Sequence, residues 1–328
     1  MKAVWISEFG GPENLEIRNV PDPRKPVGSE VLVRVRSAGL NRADLMQRRG
    51  LYPPPQGVSP NIPGLEFAGE VAETGELVTA FTTGDRVFGI TAGEAQAEYL
   101  LTDASLITKV PANLDLTAAG AVPEAFITAY DAVFSQAGLR SNETLLIHAV
   151  GSGVGLAGLQ MAKAMGCDVI GTSRTAAKLD ACREFGLDHA ILQAEGIDFA
   201  ESVKTKTAGR GADVVLDLVG GAYFEQNIES LALRGRLMLV GLTAGAKSNF
   251  DLRAALSKRL KIIGTVLRGR SNEEKAAVTR TFRDEVVPLL ESRTVRPVID
   301  RIVPFDEVRS AHEYLESNDS FGKVVLEF

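Results

Sequence analysis

The sequence predicts an α/β protein: a doubly wound parallel sheet of six strands, carried between two stretches of a second, β-rich domain. Three observations predict it. Apolar strand runs alternate with helical periods from residue 124 to 262, the pattern of parallel strands joined by crossover helices. The first of those strands feeds a glycine turn, Gly151-Ser-Gly-Val-Gly155, that opens a helix. Before residue 120 the chain instead shows short strands between turns rich in Gly, Pro and Thr, and after 262 it becomes mixed. The expected domains are 1–123 with 263–328, and 124–262.

In chain order, Val31-Leu-Val-Arg-Val-Arg36 alternates apolar and basic residues, as a strand with one wet face should. Short strands follow at 66–72 and 85–90. The segment Gly50-Leu-Tyr-Pro-Pro-Pro-Gln-Gly57 is neither helix nor central strand, because successive prolines remove donors and fix φ. Pro111 and Pro123 bracket a short helical piece. Strands are then expected at 144–150, 168–174, 190–192, 213–219, 236–241 and 260–267, the complement of a full dinucleotide fold. Ser271-Asn-Glu-Glu274 is a capping box, and Val278, Phe282 and Val286 share one face of the helix it starts. The last run, 323–328, reads as a strand that needs a sheet to join, and the β-rich domain offers one.

The glycine turn carries the first chemical signal. Apolar residues recur at helical spacing from Leu156 to Met165, and Gly166 closes that helix. At such a helix start the backbone amides of Ser152, Gly153 and Val154 are expected to meet a pyrophosphate, drawn by unpaired N–H groups and the macrodipole. Gly158, on the helix, allows close packing against the strand. The run is Gly-x-Gly-x-Gly rather than the strict Gly-x-Gly-x-x-Gly, and such turns also serve geometry alone; the strand before and the basic exit after favour a cofactor. An acid at the end of the second strand would hold a ribose hydroxyl. Ser173, Arg174 and, one helical turn on, Lys178 stand there instead, which suits the 2′-phosphate of NADPH rather than NADH.

Bulk properties narrow the class. A chain of 328 residues has room for two cores. Its hydrophobic fraction of 45% and charged fraction of 24% are ordinary for a globular protein. A formal charge of −6 argues against general affinity for nucleic acid or anionic membrane. The amino terminus lacks the apolar core of a signal peptide and no run reaches the length of a membrane span, so a cytoplasmic protein is expected. Cys167 and Cys182 are too few for a zinc cluster and read as small apolar residues. His148, His189 and His312 are scattered, so no metal site is expected.

The order of a β-rich GroES-like domain, a Rossmann dinucleotide domain and a C-terminal return resembles the medium-chain dehydrogenase/reductase superfamily over the whole chain. Within it, Asn41-Arg-Ala-Asp-Leu-Met-Gln-Arg-Arg-Gly-Leu-Tyr-Pro-Pro-Pro-Gln-Gly57 and Ile147-His-Ala-Val-Gly-Ser-Gly-Val-Gly155 are similar to the zinc-free quinone oxidoreductase branch. The p53-inducible members resemble it more than the zeta-crystallins do. Zinc-dependent relatives place a metal cysteine where this chain has Asn41 and a histidine where it has Leu65, and their four-cysteine lobe is missing after Ile90. Without a Lewis acid, alcohol oxidation becomes difficult, whereas quinones and conjugated carbonyls are electrophilic enough to need mainly orientation.

The resemblance implies an NADPH-dependent quinone reductase acting as a homodimer on a small-molecule quinone or conjugated carbonyl. Two other readings are reduction of α,β-unsaturated aldehydes or ketones, and a catalytically weak NADPH-binding structural or RNA-binding protein. It implies that Thr128 lies near the nicotinamide, and that the strand-end pairs Gly241-Leu242 and Leu267-Arg268 line it, unless they are plain connections. Asn41 and Tyr52 are the candidates beside the reacting carbonyl. Tyr52 hydrogen-bonds or stacks on a quinone or packs on its prolines, and Asn41 stands beside the carbonyl or caps a turn. Asp44 and Glu66 match family positions and are read equally as structural. Gln193 stands on the adenine side, where relatives often have tyrosine. The strand at 260–267 is expected at a sheet edge, paired across the dimer.

Overall fold

The computed structural model describes residues 1–193 and 198–328. The chain forms two compact units, Thr128–Val266, and Met1–Ile127 with Leu267–Phe328.

In the first of these units six strands lie in the order His189–Leu192, Asp168–Ser173, Thr144–Ile147, Ala212–Asp217, Leu231–Leu239, Lys261–Gly264. Every neighbouring pair is parallel. Numbered along the chain this is 3-2-1-4-5-6, the doubly wound order of a dinucleotide fold, with ligands expected at the carboxyl ends. The sheet is sandwiched by apolar side chains such as Leu146, Ile170, Val215 and Leu237, all fully buried. Three strands depart from the sequence expectation. The one at 144 ends at Ile147, because the chain must leave the sheet to enter the helix; Ala149 turns it with a left-handed φ of 49°. Gly155 then lies so close to this turn that a Cβ would stand 2.6 Å from the Val150 carbonyl oxygen. Gly158 has more room, with Leu216 at 3.3 Å. The fifth strand begins already at Leu231 rather than 236 and ends at Leu239, running through Arg234 at φ 62°. The sixth is only Lys261–Gly264, and it is the sheet edge.

In the other unit the alternation read at residue 31 is visible in space. Along Glu30–Gly39, Val31, Val33 and Val35 are buried and Arg34 is exposed. This strand sits in a sheet ordered Ile299–Pro304, Lys323–Glu327, Glu30–Gly39, Glu66–Thr74, Arg86–Ile90, Ile107–Lys109, with Tyr99–Asp103 also pairing onto it. The last strand of the chain joins antiparallel, Val325 opposite Gly39, as its need for a partner required. Lys2–Ile6 and Leu15–Asn19 form a separate hairpin sheet. The capping box is present: Ser271 Oγ accepts from the Glu274 amide at 3.2 Å and the Glu274 carboxylate accepts from the Ser271 amide at 2.9 Å. Phe282 and Val286 are buried below it while Val278 is half-buried, because the helix widens to a π turn over Phe282–Val286. Phe282 meets Phe88 edge-on at 5.5 Å, a contact adding about 1 kcal/mol beyond area burial. Among the described residues no helix is long and apolar enough to cross a membrane.

Arg48, with no exposed surface, anchors this unit. Its Nη2 donates to the Glu316 carboxylate at 2.9 Å and its Nε to the Gly10 carbonyl at 3.1 Å. His312 Nδ1 lies 3.5 Å from Arg48 Nη1, and no described group bonds His312 Nε2. Burial, reinforced by the Arg48 charge, pushes His312 down from 6.5 to about 3. The folded state therefore keeps His312 neutral while the unfolded chain takes up a proton below 6.5, so stability is lost as pH falls from 6.5 towards 3. At pH 4 the loss from this group is roughly 3 kcal/mol. Denaturant unfolding of wild type and His312→Gln across pH 7 to 4 is expected to show a flatter acid slope in the variant; parallel slopes would place the acid sensitivity elsewhere.

Candidate functional site

In the unit Thr128–Val266 the sequence-predicted residues gather at the carboxyl ends of the strands. Ser152 caps the helix Gly153–Ala164, its Oγ accepting from the Gly155 amide at 3.2 Å. The Ser152 amide, expected to face a phosphate, instead donates to the Ala149 carbonyl at 2.9 Å, because the turn uses it to close. Gly153 and Val154 occupy the first helical positions, where amides have no acceptor within the helix. At the end of Asp168–Ser173, Ser173 Oγ accepts from the Thr175 amide at 3.2 Å and the Ser173 carbonyl accepts from the Gln193 amide at 2.8 Å. Arg174 is exposed, close enough to Tyr223 for its charge to counter the burial that raises that phenol. Lys178 is half-buried on the adjoining helix Ala176–Cys182. Ser173 and Gln193 thus meet at this strand end, with Arg174 next in the chain and Lys178 one helical turn on.

Behind these loops lies a buried network that the sequence did not announce. Asp217 accepts from the amides of Val219 at 2.8 Å and Gly220 at 2.9 Å, and from Asn227 Nδ2 at 2.9 Å. Asn227 therefore turns its oxygen to His148 Nε2, 2.5 Å away, which puts the histidine proton on that nitrogen. His148 Nδ1 is left to accept from the Thr172 hydroxyl at 2.9 Å. Burial holds His148 below its ordinary range, against the pull of Asp217. Three strand ends are thereby locked in register. Gly241 donates to the Asp217 carbonyl at 3.1 Å and cannot carry a Cβ, which would meet the Leu218 oxygen at 2.4 Å. Leu242 beside it is 57% exposed, an apolar side chain held open at a strand end. Thr128 is half-buried at the start of this unit.

The other unit brings Asn41, Tyr52 and Arg268 together with residues the sequence did not single out. Asn41 precedes the helix Arg42–Arg48, and its amide is fully committed. Nδ2 donates to Glu66 Oε1 at 2.9 Å and to the Gly39 carbonyl at 3.2 Å, while Oδ1 accepts from Lys323 Nζ at 2.7 Å. Of its two sequence readings, the arrangement favours the structural one. Lys323 Nζ also binds Glu66 Oε1 at 2.6 Å and the Leu40 carbonyl at 2.7 Å. The second Glu66 oxygen accepts from the Glu124 amide at 2.9 Å. Asp44 is likewise structural, taking the amides of Asn41 at 2.7 Å and Gly64 at 3.0 Å; burial nevertheless raises it to about 6.

Arg268, expected along the nicotinamide, has its guanidinium committed inside this unit. Nε donates to the Ala92 carbonyl at 2.7 Å, Nη1 to the Tyr52 carbonyl at 2.9 Å and Nη2 to Gln47 Oε1 at 2.6 Å. Its Cζ stands 5.1 Å from the Tyr52 ring centre, within cation–π range. Leu267 next to it is buried. The proline loop is therefore fixed from both sides, by its own φ restriction and by this clamp. The Tyr52 hydroxyl bonds no described residue, and burial with the nearby Glu124 charge raises its pKa, so it stays a neutral donor. Glu124 and Lys275 complete the group. Both look like surface residues of helix starts in the sequence, and no local signal marks them.

A family model described as zinc-binding dehydrogenase matches residues 153–283, and one described as alcohol dehydrogenase GroES-like domain matches residues 28–135. The quinone oxidoreductase of Lama guanicoe is 32% identical over 328 residues, spanning 99% of this chain and 97% of its own. Among solved structures, the Escherichia coli quinone oxidoreductase complexed with NADPH superposes with a TM-score of 0.89 at 28% identity, covering 100% of both chains. A mycobacterial protein complexed with NADPH superposes at 0.90, also with 28% identity and 100% coverage of both. End-to-end likeness at this level, on a doubly wound sheet of the same order, means that the chain belongs to the quinone oxidoreductase family of the medium-chain dehydrogenase/reductase superfamily.

Proposed function

We propose that this chain is an NADPH-dependent quinone reductase that works without zinc. The observation that carries the reading is the run of Ser173, Arg174 and Lys178 at the exit of Asp168–Ser173, where the sequence has no acid at the strand end to hold a ribose hydroxyl. The family relationship and the NADPH bound by two structural neighbours support it. The residues fit the cofactor: Gly153 and Val154 offer helix-start amides to the pyrophosphate, and Gly155 keeps the backbone low enough for approach. Gly241, Leu242 and Thr128 are assigned to the nicotinamide half, and Gln193 to the adenine side. When bound, NADPH supplies the hydride.

On the substrate side, Tyr52 offers a ring face and an uncommitted phenol to the quinone oxygen, and Arg268 holds the loop that carries it. Asn41 acts through Glu66 and Lys323, as a positioning residue. The zinc-free reading rests on Asn41 and Leu65 at the positions where zinc-dependent relatives carry ligands, and on the commitment of the Asn41 amide to Glu66 and Lys323. Asn41, Asp44 and Glu66 then serve as scaffold.

A panel of ortho-quinones and conjugated enals, followed by cofactor oxidation in chelator, tests this reading. Quinones are expected to be the better substrates, with kcat/KM at least tenfold higher for NADPH than NADH, about 1.4 kcal/mol. The pair Arg174→Ala/Lys178→Ala should erase that preference, since contacts of cations to phosphate are the strong ones. Faster turnover of enals would move the protein to the conjugated-carbonyl reading, and activity lost with a stoichiometric metal would overturn the zinc-free one.

For Tyr52, the Phe variant is expected to keep NADPH affinity and lose about tenfold in kcat, less than the hundredfold seen for dry, preorganised donors. Tyr52→Ala should lose more, because the ring face goes as well. Steady-state constants unchanged in both variants would return Tyr52 to a packing role.

We further propose a homodimer paired along Lys261–Gly264. That strand is a sheet edge, and Ile262 and Val266 are 38% and 51% exposed, which is an aggregation hazard unless covered. Pairing across a two-fold axis would cover both copies at once. Sedimentation at micromolar concentration should give twice the chain mass, and Ile262→Lys should shift it towards the monomer; a monomeric wild type would refute the assignment.

A further inference from the structure

Gln47 and Arg268 are buried polar side chains, 1% and 4% exposed, that together close the loop carrying Tyr52. Both belong to the unit Met1–Ile127 with Leu267–Phe328. The Arg268 guanidinium reaches three separate segments: the Ala92 carbonyl at 2.7 Å, the Tyr52 carbonyl at 2.9 Å and Gln47 Oε1 at 2.6 Å. Gln47 is oriented for this by its other end. Its Nε2 donates to the Pro60 carbonyl at 3.0 Å, which turns Oε1 towards the guanidinium. Tyr52 and Pro60 bound the proline loop, so one pair of side chains holds both of its ends.

The segment that receives Arg268 at Ala92 also receives the far end of the loop. Glu94 Oε1 accepts from the Ser59 amide at 2.9 Å, and Glu94 has a left-handed φ of 70°, which is costly for a residue with a side chain. Between them a Cβ on Gly93 would stand 2.6 Å from Val58 Cγ1, so Val58 lies against bare backbone. Only the tip of the loop, at Pro53 and from Pro55 to Gly57, is exposed. The Tyr52 ring is held as well, with the Arg268 cation 5.1 Å from its centre. A flat substrate ring is thereby left the opposite face for stacking. A satisfied buried network of this kind fixes one arrangement more than it adds net stability, and the arrangement fixed here is that of Tyr52.

We propose that Gln47 and Arg268 determine specificity, acting through Tyr52 to favour planar quinones over open-chain conjugated carbonyls. This rests on the quinone-reductase reading above, with Tyr52 beside the substrate. A quinone has a ring to lie on the aromatic face and an oxygen for the phenol, whereas an open-chain enal has only the oxygen. Stacking needs the Tyr52 ring at one height and one tilt. A ring on a released loop loses that contact before it loses a hydrogen bond to a mobile oxygen. Gln47 and Arg268 are positioning residues and take no part in the transfer of hydride.

The test is kcat/KM with NADPH for ortho-naphthoquinone and for crotonaldehyde, in wild type, Arg268→Lys and Gln47→Met, each with and without Tyr52→Ala. Lysine keeps the charge but lacks the planar fork that serves three acceptors. Methionine keeps the length of glutamine but gives Arg268 a poor acceptor. Both changes are expected to lower the quinone constant about tenfold more than the enal constant, the scale of one lost stacking contact. In the Tyr52→Ala background that difference should vanish, because the side chain through which they act is gone. Gln47→Glu, which again offers Arg268 an acceptor, should recover most of the quinone preference, and it decides the outcome if Gln47→Met does not fold. If crotonaldehyde is not turned over, the coupling to Tyr52 on the quinone alone decides. A wild type that reduces no quinone overturns the reading beneath the proposal, and the proposal with it. A wild type that does, beside variants that keep its preference, slow both substrates alike or lose as much without Tyr52 as with it, overturns the proposal alone.

Discussion

The carboxylate of Glu66 holds together the unit formed by Met1–Ile127 and Leu267–Phe328. It is fully buried, and a charge so placed must be paired and hydrogen-bonded or it neutralises. Lys323 and Asn41 take one oxygen and the Glu124 amide takes the other. These partners stand on the last strand, at the entry to the helix Arg42–Arg48 and at the start of the helix at 123. One charge therefore closes the chain's C-terminal return onto the sheet that begins near its other end. An ion pair of this kind adds little net stability compared with well-packed apolar residues, but losing one partner leaves an uncompensated charge. Its contribution is to specify a single arrangement. Burial first, and then this same negative charge, raises the Glu124 carboxyl.

The dinucleotide unit uses a similar device. Asp217, also fully buried, gathers two loop amides and, through Asn227 and His148, reaches Thr172 two strands away in the sheet. In a parallel sheet the loops at the carboxyl ends are where ligands bind, and they are the part least supported by the ladder itself. A buried carboxylate at that end gives those loops fixed anchors. The turn at Ala149 and Gly155 then brings a helix start to the same end, with its first amides left over. Both units place polar networks at the ends of their strands and leave apolar packing to the sheet interiors.

Much of this was legible in the chain. The alternation from Val31 to Arg36, the strand-to-helix glycine turn and the capping box at Ser271 are each signals among adjacent residues, and each has its expected local structure. The strand limits were less legible. The strand expected from 236 starts at Leu231 instead, because an irregularity in the ladder lets it continue past Arg234 and Gly235. Glu124 and Lys275 gave no signal at all. An acid after proline at a helix start is the ordinary choice there, and a lysine behind a capping box is the ordinary solvent-facing residue.

What the sequence by itself determined was periodicity, turn chemistry and the sign of charge beside the glycine turn, hence the fold class, the family and the cofactor expectation. These follow from steric and hydrogen-bonding rules that act over a few neighbouring residues. Tertiary structure decided which polar groups are deprived of water and which partners they then find. It sent the Arg268 guanidinium to the loop of Tyr52, the Asn41 amide to Glu66 and Lys323, and left Tyr52, Glu124 and Lys275 with groups uncommitted. Desolvation depends on everything within several ångströms regardless of chain distance, so no window of sequence contains it.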